Sequence, residues 1–379
     1  MDHVYLDHAA TTPLSEAARA AMEPFLGDRF GNASSVHAPG REARKAVDEA
    51  REQIAAAVGA RPDEVVFTSG GTEADNLAIK GAAWHGREQG RDGVVVTAIE
   101  HHAVLDPAHW LGRQGFRVAE TGVDADGVVR TDRLEAAIDA KTPVVSVMSA
   151  NNEVGTVQPI AECARVARGA GAVFHTDAVQ GLPWLGVDAA AADLMTLSAH
   201  KLGGPKGVGA LVIRRGVKIQ PLLHGGGQER EVRSGTYNVA GIVGFGAAVT
   251  HWMEHRAAWS RSVGALRNRL QEHMTGALDR VRVQGEAAER LPNNLHVIVE
   301  GIDGESLILL LDAAGIAASQ GSACSSGAAE PSHVLAAMGV SRDLARGALR
   351  LTLGPSTTEA DVDRAAEAIT GSVQRLRAR

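Results

Sequence analysis

A chain of 379 residues, 45% apolar and 22% charged, has material for two globular domains with a sizeable core. Its formal charge of -7 argues against a basic nucleic-acid surface, and no apolar run is long enough to span a bilayer. The opening residues lack the pattern of a secretory signal, and two cysteines, Cys163 and Cys324, are too few for a disulfide framework, so a reducing cytoplasm fits.

In chain order, residues 1–14 read as extended, and Ser15 predicts the cap of a helix over 15–25. Residues 30–37 form a polar loop. Ala43, Val47, Ala50, Ile54 and Val58 recur at helical spacing and predict an amphipathic helix over 40–58. From Glu64 strand and helix alternate. Strands are predicted at 65–68, 94–97, 144–148, 172–177, 193–197 and 208–213, with helices at 72–89, 102–113 and 160–168. Short, continuously apolar strands belong to parallel sheets covered on both faces. Repeated βα units place a site at the carboxyl ends of those strands.

Beyond Ile213 the rhythm changes. A glycine-rich loop over 224–236 precedes two long helices, 239–258 and 261–278. A strand at 295–299, a helix at 305–313, a strand at 348–353 and a helix over 358–377 follow. This tail reads as a smaller α+β domain joined by the first dozen residues. The expected division is therefore 13–252 for the large domain and 1–12 with 253–379 for the small one.

Lys201 stands just past an apolar strand, in Ser198-Ala199-His200-Lys201, before a glycine-rich turn. Desolvated there, its amine would lose proton affinity and become a nucleophile; otherwise it is a solvated turn residue. Ser69-Gly70-Gly71-Thr72 follows a strand and opens a helix, either an anion site or an ordinary turn. Asp177 ends a strand, where a carboxylate needs a partner: a protonated ring nitrogen, a cap or a salt bridge. His101 after the 94–97 strand suits stacking on a planar ligand, proton transfer or a helix cap. Asn152 could donate to a ligand oxygen or shape a turn. Arg350 could fork onto a carboxylate or face outward. Cys324 sits among small residues that leave a thiol accessible, whereas Cys163 shares a helical face with Ile160, Ala164 and Ala167 and reads as core. His251-Trp252-Met253-Glu254-His255 matches an inverted zinc pattern, but nothing else suggests peptidase chemistry, so no metal is expected.

Taken together, these segments resemble the cysteine desulfurases. The strongest are residues 68–76, Asn151-Asn152-Glu153-Val154-Gly155, residues 175–180, Ser198-Ala199-His200-Lys201, Arg233-Ser234-Gly235-Thr236 and Gly321-Ser322-Ala323-Cys324. The cysteine loop is similar to that of the branch serving iron–sulfur assembly and tRNA thiolation. The resemblance implies the aspartate-aminotransferase-like fold of pyridoxal-phosphate enzymes, an α/β fold whose large domain holds a mostly parallel seven-stranded sheet. It implies that Lys201 holds pyridoxal 5'-phosphate as a Schiff base, that Asp177 pairs with the ring nitrogen and that His101 stacks on the ring. Asn152 and Gln180 would contact the phenolic side. Gly71, Thr72, Ser198 and His200 would hold the phosphate, joined by Thr236 from a neighbouring subunit of a homodimer. Asn32 and Arg350 would take the carboxylate of L-cysteine, and Cys324 would accept its sulfur for an acceptor protein. Ala199 stands where many relatives have glycine. A selenocysteine lyase, another aminotransferase-type enzyme or a non-catalytic sulfur-transfer scaffold are the rival readings.

Overall fold

Seven strands form the central sheet of the computed structural model, which describes residues 3–321 and 332–378. In chain order they are β1 (Val65–Thr68), β2 (Gly93–Thr97), β3 (Arg117–Thr121), β4 (Val144–Ser146), β5 (Val173–Asp177), β6 (Leu194–Ser198) and β7 (Gly209–Ile213). Their spatial order is β1-β7-β6-β5-β4-β2-β3. Only the two pairings of β7 are antiparallel; the other neighbours run parallel. The expected fold class is thereby met.

The continuously apolar strands are buried because helices cover both faces. Val65 and Phe67 of β1 join one apolar cluster with Ala43, Val47 and Ile54 of the helix Ala38–Ala57. Val66 points the other way, toward Leu77 and Ala78 of the helix Gly71–Glu88. That alternation is the two-residue period of a strand, here satisfied on both sides. Strand β3 was not anticipated. It is an edge strand with exposed Arg117 and Glu120, so its sequence lacks the apolar run of its neighbours.

The first helix, Glu16–Leu26, begins where Ser15 accepts the Ala18 N–H, as its sequence predicts. The break expected near 259–260 is absent. One helix runs from Val239 to Ala277, 39 residues and roughly 58 Å at the α-helical rise. No glycine or proline lies between Met253 and Val263 to stop it. Trp259 instead packs within the helix against Trp252 and His255. Its first half buries Phe245, Val249 and Trp252, its second half Val263, Leu270 and Met274.

Around the second half lies a three-stranded antiparallel sheet of Val281–Val283, Asn294–Val299 and Ala348–Thr352, with the helices Gly304–Ala313 and Glu359–Arg377. The start of the chain is tied to this part: Val4–Tyr5 pairs in parallel with Ile316–Ala317. Among the described residues no helix is long and apolar enough to cross a membrane.

Candidate active site

The carboxyl ends of β5 and β6, the start of the Gly71–Glu88 helix and the N-terminal segment enclose a cavity of about 320 Å³. Gly70 gives that helix no side-chain cap, and its first residues, Gly71 and Thr72, border the cavity, as a helix N-terminus suited to an anion would. A Cβ on Gly71 would come within 3.1 Å of Val179 and 3.6 Å of Ser198, so glycine is what lets the helix end sit this close. Thr72, Ser198 and His200 border the same corner.

Asp177 closes β5 and accepts the Val179 N–H at 2.8 Å. Burial raises its pKa to about 6, against the opposing pull of that N–H and of Lys201. Behind it, Asp75 also lines the cavity. Burial and the Asp177 charge push Asp75 well above the carboxylate range, and its Oδ1 has no hydrogen-bond partner among the described residues. His175 lies 3.5 Å from that oxygen. Burial lowers its pKa to about 3, so the contact is not an ion pair. The ring of His175 is instead held between Ser146 and Thr196, at 2.8 and 3.0 Å.

Lys201 ends the short turn that follows β6 and reaches across the cavity. Its Nζ donates to the carbonyls of Ala9 and Ala10, at 2.5 and 2.7 Å. Gln180 donates to the same Ala9 carbonyl at 3.0 Å, and the His200 ring contacts the Thr11 hydroxyl at 3.1 Å. The N-terminal segment therefore forms a wall of the site. His101 lines the cavity and also caps the helix His102–Arg113, its Nδ1 accepting the Ala103 N–H at 3.0 Å. That bond puts the proton of the neutral ring on Nε2. Burial, reinforced by the Lys201 charge, lowers the His101 pKa to about 4, and burial does the same to His200.

Asn152 sits in a turn fixed by Asn151, whose Oδ1 accepts the N–H groups of Glu153 and Val154. Arg350, 3% exposed, donates to Asp7 Oδ1 at 2.7 Å and to the carbonyls of Asn152 and Gly321 at 3.1 and 3.4 Å. It borders the cavity with half its fork already committed to Asp7.

Of the residues singled out in the sequence, Gly71, Thr72, His101, Asn152, Asp177, Gln180, Ser198, His200, Lys201 and Arg350 meet here. Asn32 and Thr236 do not; both are exposed, and Asn32 Oδ1 accepts the Ser34 N–H. Cys324 lies outside the described residues. Asp75, Asp7 and the carbonyls of Ala9 and Ala10 are additions. Asp75 carried a usable signal, because it follows Thr72 by three and Gly71 by four and so faces the same way. A backbone carbonyl carries none. Cys163 is buried in the helix Ile160–Gly169, and desolvation pushes its thiol up to about 12, as befits a core residue. His251, Glu254 and His255 bring their ligand atoms within 4.8 Å of one another, but His255 Nδ1 is engaged by the His251 carbonyl and its ring stacks on Trp259.

Residues 4–365 match the family model described as aminotransferase class-V. The cysteine desulfurase IscS of Dictyoglomus turgidum is 46% identical over 376 residues, 99% of this chain and 95% of that protein. The IscS-like cysteine desulfurase of Mycobacterium tuberculosis is 49% identical over 381 residues, 98% and 97% of the two chains. Among solved structures, a NifS-like protein superposes with a TM-score of 0.92 at 37% identity, covering 99% of this chain and all of that one (100%). A structure of SspA in complex with cysteine gives 0.82 at 35%, covering 93% and 99%.

Proposed function

The chain belongs to the class-V aminotransferases and, within them, to the cysteine desulfurases, and on that premise we propose that it uses pyridoxal phosphate to convert L-cysteine to L-alanine, taking the sulfur onto Cys324. The observation that carries the reading is the meeting of the Lys201 amine and the buried Asp177 carboxylate in one cavity beside an uncapped helix N-terminus. These groups fit the cofactor chemically. Lys201 is the amine for its aldehyde, and the first-turn N–H groups at Gly71 and Thr72, with Ser198 and His200, suit its phosphate. Asp177 suits a protonated ring nitrogen, since a cation there offsets the burial that raises its pKa. His101 would lie against the ring, with Asn152 and Gln180 toward its phenolic side. Exposed Thr236 suits the phosphate of a second copy in a homodimer.

When bound, the cofactor supplies an electron sink for the carbanion formed at the substrate Cα. Lys201 Nζ takes the Cα proton of L-cysteine and returns it. His101 Nε2 carries the proton that a developing negative oxygen or nitrogen would draw upon. Arg350 receives the substrate carboxylate, which then competes with Asp7 for the Arg350 fork. Cys324 as thiolate attacks the substrate Sγ. The Cβ–Sγ bond breaks as an S–S bond forms, the proton of the substrate thiol passes to Cβ, and the products are L-alanine and a Cys324 persulfide. Gly321 on the cavity wall is three residues from Cys324, a tether that spans at most about 11 Å.

We assign the outer sulfur to an acceptor protein, an iron–sulfur scaffold or a tRNA-thiolation protein, in the reducing cytoplasm where a free thiol persists. Residues 13–252 would form the cofactor-binding domain and 1–12 with 253–379 the smaller one, the helix Val239–Ala277 running through the joint. The test is alanine release from L-cysteine. Cys324→Ser should abolish it while the visible absorbance of the cofactor stays; release at the parent rate by that variant refutes the assignment.

A further inference from the structure

We propose that His296 is a positioning residue for substrate binding: its ring holds the Nε edge of the Arg350 guanidinium, so that the fork can turn from Asp7 to a substrate carboxylate. The proposal rests on the desulfurase reading above and names what steers its carboxylate-binding arginine. His296 and Arg350 stand opposite each other in the antiparallel pair of Asn294–Val299 and Ala348–Thr352. Both turn their backbone groups away from that pairing. The Arg350 N–H and carbonyl bond Ser319, at 2.7 and 3.3 Å, and the His296 carbonyl accepts the Gln284 N–H at 2.9 Å. They are therefore a non-hydrogen-bonded pair, the kind in which facing side chains lie closest.

Each side chain lacks a partner that the other can supply. Arg350 donates from Nη2 to Asp7 Oδ1 at 2.7 Å and from Nη1 to the Asn152 carbonyl at 3.1 Å, but its buried Nε has no acceptor among the described residues. His296 is 0% exposed, and neither ring nitrogen has a hydrogen-bond partner among the described residues. Burial, reinforced by the Arg350 charge, lowers its pKa to about 3, while the Gln320 carbonyl pulls the other way. A neutral ring carries one N–H and one bare nitrogen. The Gln320 carbonyl suits the N–H, which leaves the bare nitrogen as acceptor for a guanidinium N–H.

A buried donor left without an acceptor costs more than the bond itself would contribute. For Arg350 that penalty matters when the fork moves. Exchanging Asp7 for a substrate carboxylate turns the guanidinium, and an acceptor at the Nε edge keeps that edge satisfied through the turn. An apolar side chain at 296 would leave it bare, and a cationic one would repel it. His296 is not among the residues lining the cavity, so it acts through Arg350.

The test uses holoenzyme carrying His296→Phe, His296→Leu or His296→Asn. The probes are L-alanine and L-alanine methyl ester, which differ only at the carboxylate, and their affinities are read from the change in cofactor absorbance. The parent should prefer the acid. His296→Phe and His296→Leu should lose about ten-fold of that preference with ester affinity unchanged, and their KM for L-cysteine should rise about ten-fold while kcat stays within about two-fold. His296→Asn, which keeps an acceptor, should stay within about three-fold of the parent. An acid preference unchanged in both apolar variants overturns the proposal, as does a His296→Asn as impaired as they are. Equal weakening of acid and ester, or loss of the cofactor absorbance in both apolar variants, also overturns it and makes His296 a support of the fold only. A parent with no acid preference removes the Arg350 assignment and this proposal together. A parent that binds L-alanine but forms none from L-cysteine refutes the desulfurase reading, and the acid-to-ester ratio still decides on His296.

Discussion

Replacing Glu229 with alanine should unfold the protein more readily, because Glu229 and Arg51 together cover the outer edge of the central sheet. Strand β1 is an edge strand, and its residues 65 and 67 turn their polar backbone groups outward. Glu229 Oε2 accepts the Phe67 N–H at 2.8 Å, and Arg51 Nη1 donates to the Val65 carbonyl at 2.7 Å. The two side chains also clasp each other in a fork, at 2.6 and 2.8 Å, with side-chain exposures of 7% for Arg51 and 2% for Glu229. Burial alone would raise the Glu229 pKa, but the Arg51 bonds outweigh it and hold the carboxyl below its usual value. The backbone here is strained: Glu229, Arg230 and Glu231 all have positive φ, at 49, 57 and 67°.

Removing one member of a buried pair costs about 3–5 kcal/mol. Arg51 keeps the Val65 carbonyl and the face of Phe67, 4.6 Å below its guanidinium, so the lower end applies, roughly 3 kcal/mol. At about 2.1 cal/mol/K per residue, that is a fall of about 4 °C in Tm for a chain this long. The assay is denaturant unfolding together with hydrogen exchange at the Phe67 amide, which should lose protection first. Glu229→Gln, with one acceptor left, should lose less. The sign with pH follows from the lowered pKa. The parent has this stability above the usual glutamate value and loses it as pH falls through the folded-state value, so the deficit of Glu229→Ala shrinks in acid. A loss under about 1 kcal/mol, or one that vanishes in high salt like a surface pair, would falsify the reasoning.

Two further outcomes test the site. Borohydride reduction of the cofactor-loaded parent should add the cofactor mass to the peptide containing Lys201, and Lys201→Ala should gain none; mass on another lysine would move the attachment point. The cofactor-free chain should lose stability relative to Asp177→Asn as pH rises. A raised folded-state pKa gives stability that is complete below the ordinary aspartate value and lost as pH climbs through about 6. A parent-to-variant difference that stays flat across that interval in urea titrations would remove the burial argument for Asp177.

Much of this was readable from local chemistry. The strand Val65–Thr68 and the helix His102–Arg113 lie where apolar runs and spacing put them, because each buries what its pattern offers. Ser15 and Thr358 cap the helices they precede, as small hydroxyls do. Lys201, Asp177, Gly71 and His101 could be singled out because each stands where a strand or turn gives way to a new element. Arg51 left a trace as well: it follows Val47 by four and so falls on the apolar face of its helix.

The order of apolar runs, caps and glycine turns determined the elements and the end of the sheet at which chemistry would sit, since these depend on neighbours within a few residues. Only the folded chain decided that Ala9 and Ala10 close over Lys201, that Asp7 shares Arg350, that Asp75 backs Asp177 and that Glu229 seals β1. Each of those depends on groups distant along the chain. Several use backbone atoms common to every residue, and nothing in a residue's identity announces what its carbonyl will meet.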